Sequence, residues 1–401
     1  MHTQPVLQKF FRESLPDIHQ QRCHALTVAV DAVARGARVT ITAMGRSLAD
    51  SGMRIKHRVK RMDRLIGNRL LGGQRRRFYQ AIVQRLVTGP VQPIILVDWS
   101  DFSVDRQQQL LRASLAVGSR ALTLYEELHP YGKLANRQVQ HRFLDQLKSM
   151  IPADCTPIVI ADAGFRVPFY HYVESLGWHW VGRIRNRDFV QWQGAPFDWI
   201  PAQSLHAIAA IRAQDLGDAL WVRNHPCAGR LVLIMQTLRG RKHCSPTGIA
   251  RRGHQSRKHA LRVREPWLLI ASRSLAALRA KQIVRLYKTR MQIEEGFRAT
   301  KSVAYGLGIA NRRHTSIERA ANLLLIAALA SFLLWVIGCL AKARAWHHQV
   351  SVNSSSKSPT YSPLFLARLL VQFTHHRLPL GCLDAAARIS SQYTQSVLRV
   401  E

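Results

Sequence analysis

Residues 93–100 read PIILVDWS, and residues 157–166 read PIVIADAGFR. In each, a short apolar run is broken by one aspartate, Asp98 and Asp162. Runs of this kind predict central strands buried on both faces, each ending at its acid. Between them, residues 110–117 and 121–128 sit at hairpin spacing around Gly118-Ser119. Residues 137–151 carry apolar side chains at helical spacing. After Asp162 the chain predicts a helix over 165–176 and a strand over 178–184.

The resulting order, βββαβαβ with acids ending the first and fourth strands, is that of a ribonuclease-H-like fold. That is an α/β fold in three layers around a mixed sheet. Residues 186–265 interrupt it with short strand-like runs (220–223 and 231–237) among Gly, Pro and basic residues, and predict a β-rich insertion. WLLIAS at 267–272 returns to a core strand. Residues 275–301 predict one helix.

Residues 1–85 predict helices, over 5–14 and 19–34 and then as a pair resembling a helix-turn-helix. Its first helix spans about 40–49, Ser51-Gly52 makes the turn, and the second helix runs from Met53. That second helix carries Arg54, Lys56, Arg58, Lys60, Arg61 and Arg64 against one acid, Asp63. It suits a major groove or a line of phosphates; the alternative is a basic surface helix of a core bundle. Residues 353–363, NSSSKSPTYSP, predict a linker. Residues 364–400 predict two short helices, with a role in dimerisation as one expectation.

The formal charge of +34 demands a polyanionic partner. DNA or RNA fits, with binding that weakens steeply in salt; a membrane surface is the other possibility. The six cysteines form no CxxC pair, and the N-terminus has no apolar signal-like run. A reduced cytoplasm is therefore expected. His225, Cys227, His243, Cys244, His254 and His259 cluster without the spacing of a zinc module. Residues 320–341 carry no charge and meet the length test for a membrane span. Both flanks are basic and no second span exists, so a buried core helix is expected and no membrane.

YKTRMQIEEGFRATK, residues 287–301, holds the third acid. On one helix, Arg290, Glu294 and Lys301 would fall roughly 60°, 20° and 40° from Tyr287. That stripe holds a metal-capable carboxylate, two cations and a phenol. An ordinary solvated face with ion pairs gives the same pattern. Asp101, Asp105 and Glu295 are rivals; expected position at the strand end favours Asp98, and Glu295 would point about 100° away from Glu294.

The spacing Tyr-x2-Arg-x3-Glu-x6-Lys, with Asp98 and Asp162 before it, resembles the YREK signature of bacterial insertion-sequence DDE transposases. That group includes the cut-and-paste enzymes of composite resistance transposons. The resemblance covers residues 90–305 well. It implies catalysis by Asp98, Asp162 and Glu294 holding two Mg²⁺ (or Mn²⁺) ions, roughly 3.5–4 Å apart as in two-metal sites. It implies phosphate contacts by Tyr287, Arg290, Lys301 and Arg183, and a flipped base stacked on Trp267. The implied reaction is a series of in-line phosphoryl transfers: nicking of the transposon end, hairpin formation, hairpin opening and joining of the 3′ hydroxyl to target DNA. The implied partners are terminal inverted repeats and target DNA, held by a homodimer on paired ends.

The expected domains are 1–88 (helical, DNA-binding through residues including Arg54, Lys56, Arg58, Lys60 and Arg61), 89–185 and 266–350 (catalytic core), 186–265 (β-rich insertion) and 351–401 (linker and C-terminal helices). Three rivals remain at this level: a domesticated nuclease of the same fold, a non-catalytic DNA-binding regulator and a membrane-anchored protein.

Overall fold

The computed structural model describes residues 1–48, 52–118, 120–192, 198–236, 253–254, 265–304, 306–312, 315–350 and 361–399. The chain divides into two compact units, 1–155 with 291–396 and 156–290 with 397–401.

The first unit opens with α1 (Gln4–Ser14), α2 (Gln20–Ala34), α3 (Ile41–Arg46), α4 (Ile55–Ile66) and α5 (Arg69–Leu86). Local chemistry sets their starts. Pro5 stands in the first turn of α1, where a missing N–H costs nothing. Thr40 Oγ1 accepts from Ala43 N, and Asn68 Oδ1 from Leu71 N, capping α3 and α5. Next come β1 (Ile94–Asp101), β2 (Gln108–Ala116), β3 (Ala121–Pro130) and α6 (Arg137–Lys148). The strands form an antiparallel meander, with Asp98 opposite Arg112 and Asp101 opposite Gln109.

The second unit holds β4 (Ile158–Ala161), α7 (Val167–Ser175), β5 (His179–Arg183), β6 (Phe189–Trp192), β7 (Ile200–Pro201), β8 (Gln214–Trp221), β9 (Cys227–Ile234), β10 (Trp267–Ala271) and α8 (Ala280–Lys288). Its strands lie in the order β4-β5-β10-β9-β8-β6-β7. β4 and β5 are parallel and joined through α7; β10 runs antiparallel to β5. Tyr170 of α7 packs against Trp180 and Trp221, at 4.9 and 5.5 Å between ring centroids. Gly182 leaves room for it: a Cβ there would meet Tyr170 Oη at 2.5 Å.

The chain then returns to the first unit as α9 (Met291–Lys301), α10 (Ile317–Ala343), α11 (Pro363–Phe373) and α12 (Ala386–Leu398), the last ending at the unit boundary. α10 is long and apolar enough to cross a membrane, but 83% of its most apolar window is buried in the protein. It packs on α2, α5, α11 and β3. Gly338 allows α11 to start against it, since a Cβ there would lie 2.0 Å from the Pro363 carbonyl.

The fold class is the expected one, a ribonuclease-H-like mixed α/β fold. Four sequence readings need correction. The helix expected over 275–301 is two helices. Thr289 and Arg290 leave the helical pattern: Arg290 N bonds the Tyr287 carbonyl three residues back, and Thr289 Oγ1 takes the Leu286 carbonyl at 2.6 Å. A threonine hydroxyl competing for a helix carbonyl in this way favours termination. The stripe from Tyr287 to Lys301 on one cylinder therefore does not form. Second, β1 does not end at Asp98 but continues to Asp101; only its fully buried part ends there. Third, β8 and β9 of the expected insertion pair directly beside β10 and extend its sheet. Fourth, the first helix of the basic pair is shorter than expected, ending at Arg46. The two C-terminal helices form as expected and are bonded into the first unit. Ser390 Oγ donates to the Leu86 carbonyl, and the N-terminal amine to the Val371 carbonyl. Of the cysteine–histidine cluster, His243, Cys244 and His259 lie outside the described residues, as does most of the 353–363 linker.

Candidate active site

Ile94, Ile95, Leu96 and Val97 are buried, and β1 opens to solvent at the half-buried Asp98. Asp98 Oδ1 accepts from Trp99 N at 2.8 Å. α9 is fixed to the meander at both ends. Near its start, Gln292 Oε1 accepts from Val117 N and Gly118 N, each at 3.1 Å. Near its end, Thr300 Oγ1 accepts from Arg112 Nη1 at 3.2 Å. Lys301 Nζ donates to Ser100 Oγ at 2.6 Å and to the Asp101 carbonyl. Seven residues before Lys301, and so roughly 20° from it around the helix, Glu294 is exposed in the first turn. Glu295 is occupied by Arg298 at 2.9 Å.

Burial, with the Arg112 guanidinium beside it, pushes the Lys301 pKa down to about 8, against the opposing pull of Asp101 and Asp98. Arg112 is itself 2% exposed. It forms an ion pair with buried Glu126 at 2.6 Å and lies over the Phe297 ring at 4.9 Å. Tyr79 Oη donates to the second Glu126 oxygen at 3.0 Å. A buried pair this fully bonded ties β2, β3, α5 and α9 into one piece.

In the second unit, Asp162 follows β4 directly. Its Oδ1 accepts from Gly164 N at 2.7 Å, closing a tight turn. Arg185 holds that turn, donating through Nε to the Ala163 carbonyl and through Nη2 to the Gly164 carbonyl at 3.0 Å. Arg183 Nη2 donates to the Pro266 carbonyl at 3.5 Å. Half-buried Trp267 meets Tyr287 edge-on at 5.1 Å, and the Arg290 guanidinium lies 6.0 Å from the Tyr287 centroid. Tyr287 is only 3% exposed.

Arg54, at the N-cap of α4, and Lys56, Lys60 and Arg64 on it are exposed, with Arg58 and Arg61 half-buried. Arg58 donates to the carbonyls of Met53 and Leu48 at 2.8 and 2.7 Å and so fastens the α3–α4 turn. The helix's one acid, Asp63, is paired with Arg319. A cleft of about 700 Å³ beside α4 is lined by His19, Arg22, His57, Arg61 and Arg64 and, among the described residues, by no carboxylate.

Sequence reasoning singled out Lys301 but missed its partners Ser100 and Asp101, and missed Arg112, Glu126 and Arg185. Arg185 lies two residues past Arg183, beyond the end of β5, so strand alternation does not place it. No local signal pairs Arg112 with Glu126.

Asp98, Asp162 and Glu294 offer carboxylate oxygens only, the donors that Mg²⁺ and Mn²⁺ take. The donor set suits a hard divalent cation in kind. Asp98 and Glu294 belong to one unit and Asp162 to the other. Among the described residues, no group of three or more His, Cys, Asp or Glu gathers to hold an ion.

Residues 89–333 match the family model described as the transposase DDE domain. The match begins just before β1, covers all three acids and ends within α10. It takes in more than half of the chain, and the chain belongs to the DDE transposase family. The protein is thus an enzyme of the nuclease and strand-transferase class that acts on DNA, in a family dependent on divalent metal. No curated protein matches the sequence.

Proposed function

We propose that the chain is a cut-and-paste transposase of the YREK group, acting as a homodimer on paired terminal repeats in a reduced cytoplasm. The observation that supports this reading is Lys301 seated on Ser100 Oγ at 2.6 Å. It lays the helix of Glu294 along the strand of Asp98. Asp98, Asp162 and Glu294 are the carboxylates that would hold two Mg²⁺ or Mn²⁺ ions. When bound, such ions neutralise phosphoryl oxygens and lower the pKa of an attacking water or 3′ hydroxyl.

The chain's own residues supply the rest. Lys301, Arg290 and Arg183 hold phosphate oxygens by charge-assisted hydrogen bonds. Trp267 offers its face to a base displaced as the end closes into a hairpin. The exposed cations of α4, Arg54, Lys56 and Lys60 with Arg61, bind the duplex, and Arg58 keeps their helix in place. Residues 1–88 would be the DNA-binding domain, 89–185 and 266–350 the catalytic core, 186–265 the insertion and 351–401 the C-terminal segment. Each step is an in-line exchange: the attacking oxygen bonds phosphorus as the bond to the leaving oxygen breaks, and that oxygen takes up a proton. Tyr287 is buried and takes no covalent part.

The test is Glu294→Ala. Cleavage of a cognate end in Mg²⁺ is expected to vanish while binding in a gel-shift assay persists. Equal loss of both, or unchanged cleavage, contradicts the assignment.

A further inference from the structure

The β1–β2 hairpin ends in residues 102–107, FSVDRQ. Val104 at its tip is 97% exposed. A valine held almost wholly in water does nothing for the fold. The loop that carries it is nonetheless closely bonded. Phe102 N donates to the Gln108 carbonyl at 2.8 Å, Arg106 N to the Ser103 carbonyl at 3.0 Å, and Gln108 N to Ser103 Oγ at 3.0 Å. Gln109 Nε2 bonds the Arg106 carbonyl at 2.8 Å. Arg106 adopts φ +60°, a strained value for a residue with a side chain. The Arg312 guanidinium covers the Phe102 ring at 3.9 Å. The tip is a rigid projection with an apolar point.

Tyr131, 55% exposed, is fastened to the same loop through Tyr131 N to the Gln107 carbonyl at 2.9 Å. Lys133 and Arg137, on the segment that follows it, are exposed, as is Arg106 of the tip. Of the nearby acids, Asp101 pairs with Arg106 at 3.4 Å, and Asp105 accepts from Gln107 N at 3.1 Å. The hairpin continues the strand that carries Asp98. At about 3.3 Å per residue, Phe102 lies roughly 13 Å beyond that acid, the length of about four base steps.

We propose that Val104 is a wedge that enters the base stack about four base steps from the cleaved phosphodiester, with Tyr131 as a platform for the base displaced there, a different base from the one assigned to Trp267. The occupant is duplex DNA, because the point is apolar, the segment bonded to its loop through Tyr131 carries exposed Lys133 and Arg137, and the strand beneath it carries the acid of the reacting site. Apolar wedges between base steps unstack DNA in this way. The inference rests on the transposase reading, but its test does not need catalysis.

The probes are a fully paired 40-base-pair duplex and the same duplex with a central three-nucleotide bubble, each carrying 2-aminopurine. Wild-type full-length chain should raise fluorescence on the paired duplex. Val104→Ser should at least roughly halve that rise while binding stays within about twofold, and both proteins should behave alike on the bubble. An unchanged rise in Val104→Ser, or no rise with wild type, overturns the proposal. So does loss of self-association in Val104→Ser with fluorescence unaltered, which would make the tip a protein contact. A rise with wild type but no Mg²⁺-dependent nicking of a cognate end, assayed separately, leaves the wedge standing and counts against the catalytic reading instead.

Discussion

The stretch from Tyr287 to Lys301 reads as one motif but is divided between the two units. Its first half, with Tyr287 and Arg290, ends α8 and packs inward: Tyr287 is 3% exposed against Trp267. Its second half, α9, turns Glu294 outward and reaches Ser100 with Lys301. One half is anchored in apolar packing and the other is held by polar bonds to β1 and β2. Residues of one signature thus need not lie on one helix. A turn of two residues, Thr289 and Arg290, is enough to give them separate duties.

The largest expected effect separates those halves. Glu294→Gln should lower nicking roughly a thousandfold or more, as for other groups that stabilise transition-state charge. Tyr287→Phe should leave nicking nearly intact. Comparable losses in single-turnover assays would erase the distinction.

Next in size is the buried pair. Arg112→Met leaves Glu126 buried without its cation and should cost about 3–5 kcal/mol. Urea unfolding measures this, and a cost under about 1 kcal/mol would show that the network does not hold α9 to the meander.

Lys301 gives the third contrast. Its folded pKa of about 8 lies below the free-lysine value of 10.5. Between those values the unfolded chain binds more protons. Lys301 should therefore contribute stability to the DNA-free protein as pH rises from about 8 to about 10.5, by roughly 3 kcal/mol, against the opposite contribution of the buried thiols of Cys227, Cys339 and Cys382, whose pKa values burial raises. The stability difference between wild type and Lys301→Met isolates that contribution and should grow in favour of wild type over this range; a difference with the opposite slope contradicts the burial argument.

Trp267→Ala should have the smallest effect, about 1–3 kcal/mol, confined to hairpin formation. Equal slowing of the first nick would point to lost packing on Tyr287 instead.

Much of this was legible in the sequence. The apolar runs before Asp98 and Asp162 identified β1 and β4, because a strand covered on both faces leaves no room for charge. The uncharged run at 320–341 identified α10. The break at Thr289 was not legible, because an amphipathic period continues through it while the termination depends on a single hydroxyl. Nor was the Arg112–Glu126 pair, since both residues sit in strands that alternation alone would have turned to solvent. Val104 looked like any loop residue until its exposure was known.

The central claim is that Asp98, Asp162 and Glu294 act on metal together. Titration of the DNA-bound chain with Mn²⁺, followed by electron paramagnetic resonance, addresses it most directly. Two ions per chain are expected for the wild type, with at least one lost in each of Asp98→Asn, Asp162→Asn and Glu294→Gln. An unchanged count in any of the three would remove that carboxylate from the site.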